Sequence, residues 1–265
     1  MGFMTHMPNL SEPLIDFSQA SQQLRQRLQF LDRLRQRYDS EVRSGKVARN
    51  SLEALRVELI FHSNALEGNT LSLRETQLVL EGLSPPGGKT LREIYEARNH
   101  DEAFGTIETW ITSRPPLTTL TLQDLLDIHK ALMRDIDPAG GLRFGRVLIK
   151  GTPFVPPGSH RFDNLIPCML DLANMDRTTH PAIKAAELHY NFVAIHPFSD
   201  GNGRTARLLM NYWLMQRGFP VTIIDVSDRA DYFNSLGLAN LGDCNPFASF
   251  VVNCIEKSIL RLIGE

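Results

Sequence analysis

An all-α fold is predicted for this chain of 265 residues by three features. Apolar residues recur at helical spacing through most of its length. Capping signatures and Gly/Pro stops cut these stretches into helix-sized pieces. Only one short stretch carries the β-branched and aromatic density of strands. With 42% apolar and 22% charged residues the composition is that of an ordinary globular chain, long enough for a substantial core.

Taken in order, residues 16–44 are polar and rich in Gln and Arg, with Phe17, Leu24, Leu28, Leu31, Leu34 and Tyr38 near helical spacing. They read as an amphipathic helix laid against the body; a dimerisation helix is the alternative, although the stripe is short for a coiled coil. A second helix is expected over 50–66, stopped at Glu67-Gly68-Asn69, where Gly68 suits a left-handed cap. Ser72-Leu73-Arg74-Glu75 is a capping box that opens a helix ending near Gly82, before the loop Ser84-Pro85-Pro86-Gly87-Gly88. Residues 90–112 read as a helix broken by Arg114-Pro115-Pro116, and Thr121-Leu122-Gln123-Asp124 opens another that ends near Arg134.

The pattern then changes. After the turn Asp137-Pro138-Ala139-Gly140-Gly141, residues 145–155 carry Val147, Ile149, Thr152, Phe154 and Val155 around a Lys150-Gly151-Thr152-Pro153 centre. This reads as a short hairpin ended by Pro156-Pro157-Gly158. A lone two-stranded unit is marginal in water, which suggests an edge-pairing use. Helices resume over 164–176, 181–195, 202–217, 228–239 and 246–263, with no internal repeat.

Composition narrows the function classes. A net charge of −2 supplies no positive field for nucleic acid and no basic tail for anionic lipid, and no apolar run approaches the roughly 20 residues of a membrane span. Cys168, Cys244 and Cys254 are scattered and odd in number, so neither zinc spacing nor a disulfide framework is expected. Reduced thiols and the lack of a signal-peptide pattern in residues 1–10 lead to the expectation of a cytoplasmic protein.

The chemistry is concentrated in His196-Pro197-Phe198-Ser199-Asp200-Gly201-Asn202-Gly203-Arg204-Thr205-Ala206-Arg207. Gly201-Asn202-Gly203 opens a helix, where unpaired N–H groups and the helix dipole favour an anion and glycine lets phosphate oxygens approach the backbone. Asn202 adds an amide donor. Arg204 and Arg207, three apart, project from one face and can clamp phosphates, while Ala206, Leu209, Met210 and Trp213 form the core-facing stripe. A carboxylate beside phosphates, Asp200, is where Mg²⁺ sits. His196 can take a proton from a hydroxyl near neutral pH, and Phe198 reads as a buried anchor. Each feature alone is ordinary: a turn, a structural histidine, a solvated arginine pair. Their fixed order is not.

This segment resembles the signature HxFx(D/E)GNGRxxR of the Fic (Fido) family at every position. The resemblance spans about residue 50 to the C-terminus. It implies a Fido helical core with a hairpin flap, and a protein adenylyltransferase that moves AMP from ATP to a Ser, Thr or Tyr hydroxyl of a target protein. His196 would be the base, Asp200 the Mg²⁺ ligand, and Gly201, Asn202, Gly203, Arg204 and Arg207 the phosphate site. The Gly203 position argues against the Doc-like branch, which carries Lys there and phosphorylates its target.

Ser63-Asn64-Ala65-Leu66-Glu67-Gly68 is similar to the family's inhibitory motif (S/T)xxxE(G/N). As residues alone this is a helix end with an acid at the negative pole of its dipole, tolerable if a cation meets it. The resemblance names the cation as Arg207, with Ser63 and Glu67 as the inhibitory pair. It also leaves the reverse reaction, removal of AMP, as an alternative, besides a nucleotide-binding regulator without transfer activity and transfer of other groups. The segment Ile149, Lys150, Gly151, Thr152, Pro153, Phe154 and Val155 matches the flap that holds a target by strand addition. Tyr232, Phe233 and Asn240 fall where the family lines its adenine pocket, and His189 is expected to be structural. The resulting division is an N-terminal helical extension over 1–45, helices with the inhibitory motif over 46–112, and a catalytic core over 113–265. The expected partners are ATP and a protein substrate, self-modification included, with a homodimer left open.

Overall fold

A computed structural model describes residues 14–17, 21–85, 87–137, 140–149, 151–175 and 179–264. Its regular secondary structure among these residues is helical, in keeping with the predicted all-α class. In chain order the helices are α1 Gln22–Arg43, α2 Arg49–Leu66, α3 Leu73–Leu80, α4 Leu91–Ser113, α5 Leu122–Met133, α6 Phe162–Met175, α7 Pro181–Ile195, α8 Asn202–Met215, α9 Arg229–Asn240 and α10 Asn245–Ile263. Single 3-10 turns, Ser159–Arg161 and Val226–Asp228, lead into α6 and α9.

Helices α7 and α8 form the centre, packed on each other, with α10 and α6 on α7 and with α4 and α5 on α8. Their sequences explain this. Nearly every residue of α7 and α8 is buried, the polar Lys184, Glu187, Asn191 and Asn211 included, so both helices run inside the molecule rather than along its surface. The buried polar groups are paired: Lys184 Nζ meets Glu187 Oε1 at 2.6 Å, and Asn211 bridges to Thr222 at 2.7 Å and 3.0 Å.

Helix α1 places Leu24, Leu28, Leu31 and Leu34 on one stripe against α10, in the same core as the rest. Ahead of it, Ile15 exchanges hydrogen bonds with the Asn191 side chain (3.0 and 3.2 Å), and the Phe17 N–H donates to Glu187 (2.9 Å). A separate, smaller cluster of Ile60, Leu71, Val79 and Ala97 ties α2, α3 and α4 together. Capping boxes start α3 at Ser72/Glu75, α4 at Thr90/Glu93 and α5 at Thr121/Asp124. Among the described residues no helix is long and apolar enough to cross a membrane.

The predicted hairpin is not formed. Residues 145–149 and 151–155 are irregular, with one turn contact, Thr152 N–H to Ile149 O at 3.5 Å, and no strand occurs among the described residues. Pro153, Pro156 and Pro157 lack donors, and two short strands without a third cannot offset their ordering entropy. Side chains hold the segment instead, including Ser159 Oγ, which accepts from the Gly145 N–H at 3.1 Å. Lys150 of the flap, Pro86, Pro138, Ala139 and Asp176 lie outside the described residues, as do residues 1–13 and 18–20.

Candidate active site

The loop between α7 and α8 is held from all sides. His196 caps α7 in the left-handed conformation (φ 52°, ψ 59°), an unfavourable geometry for a non-glycine residue. It lets the chain leave α7 abruptly while the His196 N–H still bonds Phe192 O at 3.0 Å. Phe198 is fully buried and stacks on His129 with ring centroids 3.5 Å apart. The His129 ring nitrogen Nε2 donates to Asp200 O at 3.0 Å. Asn202 accepts from Phe198 N (3.0 Å) and donates to Phe198 O (2.8 Å). Its amide, expected on phosphate, is thus occupied in shaping the loop. Gly201 has a positive φ of 78°, and a Cβ there would lie 2.8 Å from Met133 Sδ.

His196 Nδ1 faces the Val193 carbonyl at 3.2 Å. A carbonyl only accepts, so Nδ1 carries the proton and Nε2 keeps its lone pair. Burial pushes the imidazole below its usual pKa and Arg143 adds to this, against the Val193 carbonyl. The ring is therefore neutral at pH 7, as a general base must be.

Arg204 and Arg207 are buried at 1% and 2% exposure, not solvated. Arg207 donates from Nε to Ser63 Oγ, from Nη2 to Ser63 O and from Nη2 to Glu67 Oε1, each at 2.8 Å. Burial opposes its charge, but Glu67 prevails and raises its pKa. Glu67 is the C-cap of α2, and its carboxylate also rests on Gly203: a Cβ on Gly203 would overlap Glu67 Oε1 and come 3.1 Å from Arg207 Nη1. The predicted Ser63–Glu67–Arg207 contact is thus present, at the start of α8, where unpaired N–H groups favour an anion. That pole offsets the unfavourable dipole at the end of α2.

Arg204 reaches Asp200 Oδ1 and Glu96 Oε1, both at 3.4 Å. Asp200 also accepts from the Gly201 N–H at 2.5 Å and pairs with Arg92. Burial works against its charge, but Arg204, Gly201 and Arg92 outweigh it and hold the carboxyl below its usual pKa.

Beyond the loop lies a cavity of about 720 Å³ lined by Ile149, Phe154, Tyr190, Arg229, Phe233 and Asn240, among others. Phe233 is 42% exposed, with the Arg229 guanidinium 4.8 Å over its ring, and Asn240 Oδ1 accepts from Tyr190 at 3.1 Å. Tyr232 does not line it. Consecutive helical residues point about 100° apart, so Tyr232 turns inward, with its hydroxyl 3.1 Å from Nε2 of the buried His189. His189 is structural, its pKa pushed down to about 3 by burial.

Three residues at the site carry no sequence signal. Arg92 meets Asp200 across 108 positions, His129 stacks under the loop, and Arg143 donates to the His196 carbonyl at 2.7 Å. None belongs to a local pattern; only the tertiary fold brings them in.

Fold and site together define a class: an all-helical protein whose two central helices are joined by a His–Asp–Arg loop that ends on an anion-receiving helix start. Within that class, the chain belongs to the Fic/DOC family. The Fic/DOC family model matches residues 119–214. The protein adenylyltransferase Fic of Culex quinquefasciatus is 38% identical over 205 residues, 77% of this chain and 41% of the relative. That of Drosophila persimilis is 34% identical over 262 residues, 97% of this chain and 51% of the relative. A solved structure of Fic-1 (residues 134–508) from C. elegans matches with a TM-score of 0.79 at 33% identity, over 91% of this chain and 72% of that one. The chain spans about half the length of the curated relatives it matches.

Proposed function

We propose that the chain is a protein adenylyltransferase held in check by its own Glu67. It would transfer AMP from ATP to a Ser, Thr or Tyr hydroxyl of a protein and release pyrophosphate. The observation that carries this reading is the 2.8 Å Glu67–Arg207 pair over the start of α8, next to a neutral His196. The names of the relatives support the same reaction.

The steps follow from the residues. His196 Nε2 takes the proton of the target hydroxyl. The oxygen attacks the α-phosphorus, and the bond to the β-phosphate oxygen breaks. The start of α8 and Arg204 hold the phosphates against developing charge. Arg207 serves the outer phosphate once Glu67 leaves it. The cavity at Phe233 and Asn240 takes the base, and the 149–155 segment presents the target.

Asp200 fits a magnesium site of the kind completed by substrate: a single ionised carboxylate, 46% exposed, with no group of three or more potential ligands among the described residues. Mg²⁺ would neutralise phosphate charge there, and Arg92 would give way.

A second reading, removal of AMP by the same site, is favoured by the Glu67 carboxylate, whose side chain is 38% exposed and can orient a water.

Mass spectrometry after incubation with ATP, Mg²⁺ and candidate proteins, the chain itself included, tests both. Glu67→Gly is expected to gain AMP transfer at least tenfold over the unmodified chain, and Glu67→Gly with His196→Ala to lose it. Equal labelling with and without Glu67 would sink the autoinhibition. Loss of label from a pre-modified target, dependent on Glu67, would establish the second reading.

A further inference from the structure

Arg143 sits outside every helix, yet it is 4% exposed. Its main-chain N–H donates to Pro197 O at 2.9 Å. Its guanidinium is spread over carbonyls from two parts of the chain. Nε donates to His196 O at 2.7 Å, and Nη2 donates to Pro157 O at 2.7 Å and to Ile195 O at 3.4 Å. Nη1 donates to Gly145 O. The guanidinium carbon lies 4.8 Å from the Phe162 ring centroid.

Two of these carbonyls, Gly145 and Pro157, are the two ends of the irregular segment that borders the large cavity. The other two, Ile195 and His196, are the last turn of α7 and the base itself. One planar group therefore closes the neck of that segment and fixes the left-handed backbone of His196. A cation surrounded by neutral carbonyls is costly to bury, and an apolar side chain would fill the same space more cheaply if packing were its only task. The five donors of a guanidinium fork reach several carbonyls at once, which a lysine ammonium on a flexible stem cannot.

We propose that Arg143 is a positioning residue: it registers the imidazole of His196 against the hydroxyl presented by the 145–157 segment. This rests on reading His196 as the base for adenylyl transfer. The segment lacks a sheet ladder to hold it, so its position relative to the base depends on this side chain. A misplacement of about 1 Å between base and hydroxyl costs on the order of 100-fold in rate.

The test compares Arg143→Met and Arg143→Lys in the full-length chain, with Glu67→Gly as the background for rates. Nitrogen NMR of labelled histidines reads the His196 tautomer without any need for activity. Arg143→Met is expected to melt cooperatively and to keep the KM for ATP within about threefold, while kcat falls about 100-fold. The single Nδ1–H state of His196 is expected to give way to mixed tautomers. The acid limb of the rate is expected to move to higher pH, because a positive charge that disfavours the imidazolium has gone. Arg143→Lys keeps the charge and loses the fork, so the limb stays while kcat still falls.

The idea is overturned if folded Arg143→Met leaves tautomer and limb unmoved, or if Arg143→Lys restores the full rate. Should Arg143→Met not fold, the lysine variant decides by its tautomer and its rate. Should Glu67→Gly alone transfer no AMP, the functional reading falls, and the His196 tautomer still decides the role of Arg143.

Discussion

At Arg207, a buried guanidinium places three N–H donors on Ser63 and Glu67, and the Tyr232 side chain also supports its charge. Ser63 supplies two of the three acceptors that Arg207 meets there. Ser63→Ala removes one charge-assisted bond and strands the Arg207 Nε, a loss of about 1–3 kcal/mol. The variant is expected to melt several degrees lower and to raise basal AMP transfer less than Glu67→Gly does, because the Ser63 carbonyl and Glu67 remain. A gain equal to that of Glu67→Gly would move the inhibition from the carboxylate to the hydroxyl. The spacing of His196, Asp200, Arg204 and Arg207 was legible in the sequence, and the fold gathers these residues around the start of α8. Of the neighbouring aromatics, Phe233 faces the cavity and Tyr232 the interior, a distinction that needs the helix orientation and not the sequence alone. The bonds of Asn202 to the Phe198 backbone were not legible, because that partner is in reach only once the loop is folded.

Among the elements, helix starts were the best read, because a capping box is a local device of four residues. Hence Ser72 and Thr121 mark α3 and α5 correctly, while the ladder expected over 145–155 needed a tertiary partner that the described residues do not supply. The start of α4 does more than cap. Glu93 accepts from the N–H and hydroxyl of both Thr70 and Thr90, stapling the loop after Glu67 to α4. The Thr70 hydroxyl and the Thr90 N–H are the leading causes that bring its carboxyl down to about 2. Its folded pKa is depressed, so the staple is fully present above the unfolded value near 4.5 and is lost as pH falls through about 2. Glu93→Ala is expected to cost about 1 kcal/mol at pH 7, as a lost cap does, and to cost less as the pH is lowered toward 2. Urea unfolding at both pH values reads the difference; an equal loss at both would mean that packing, not the charge, holds the loop.

For the whole molecule, histidines set the acid limit. Burial lowers the pKa of His62, His100, His129, His180, His189 and His196. The unfolded chain takes up protons on them near pH 6.5, and the folded chain resists. Stability is therefore expected to fall as pH drops below about 6.5, by about 1.4 kcal/mol per pH unit for each histidine protonated only in the unfolded chain. Calorimetry from pH 7.5 to 5 checks this, and a melting temperature constant across that range would refute it. The overall architecture was legible in the helical spacing and caps, and α7 is mostly apolar, whereas α8 lies at the centre with Asn202, Arg204, Arg207 and Asn211 buried on it. The pairing of Arg92 with Asp200 was not, since 108 residues separate them and neither flank advertises the other. The small cluster at Ile60, Leu71, Val79 and Ala97 stands apart from the main core. Its opening exposes little apolar area, so it breathes at a fraction of the free energy of global unfolding. In sequence, Glu67 lies between Leu66 of the main core and Leu71 of the small cluster. On the proposed reading, release of Glu67 from Arg207 would then depend on how readily this small cluster opens, apart from the stability of the whole fold.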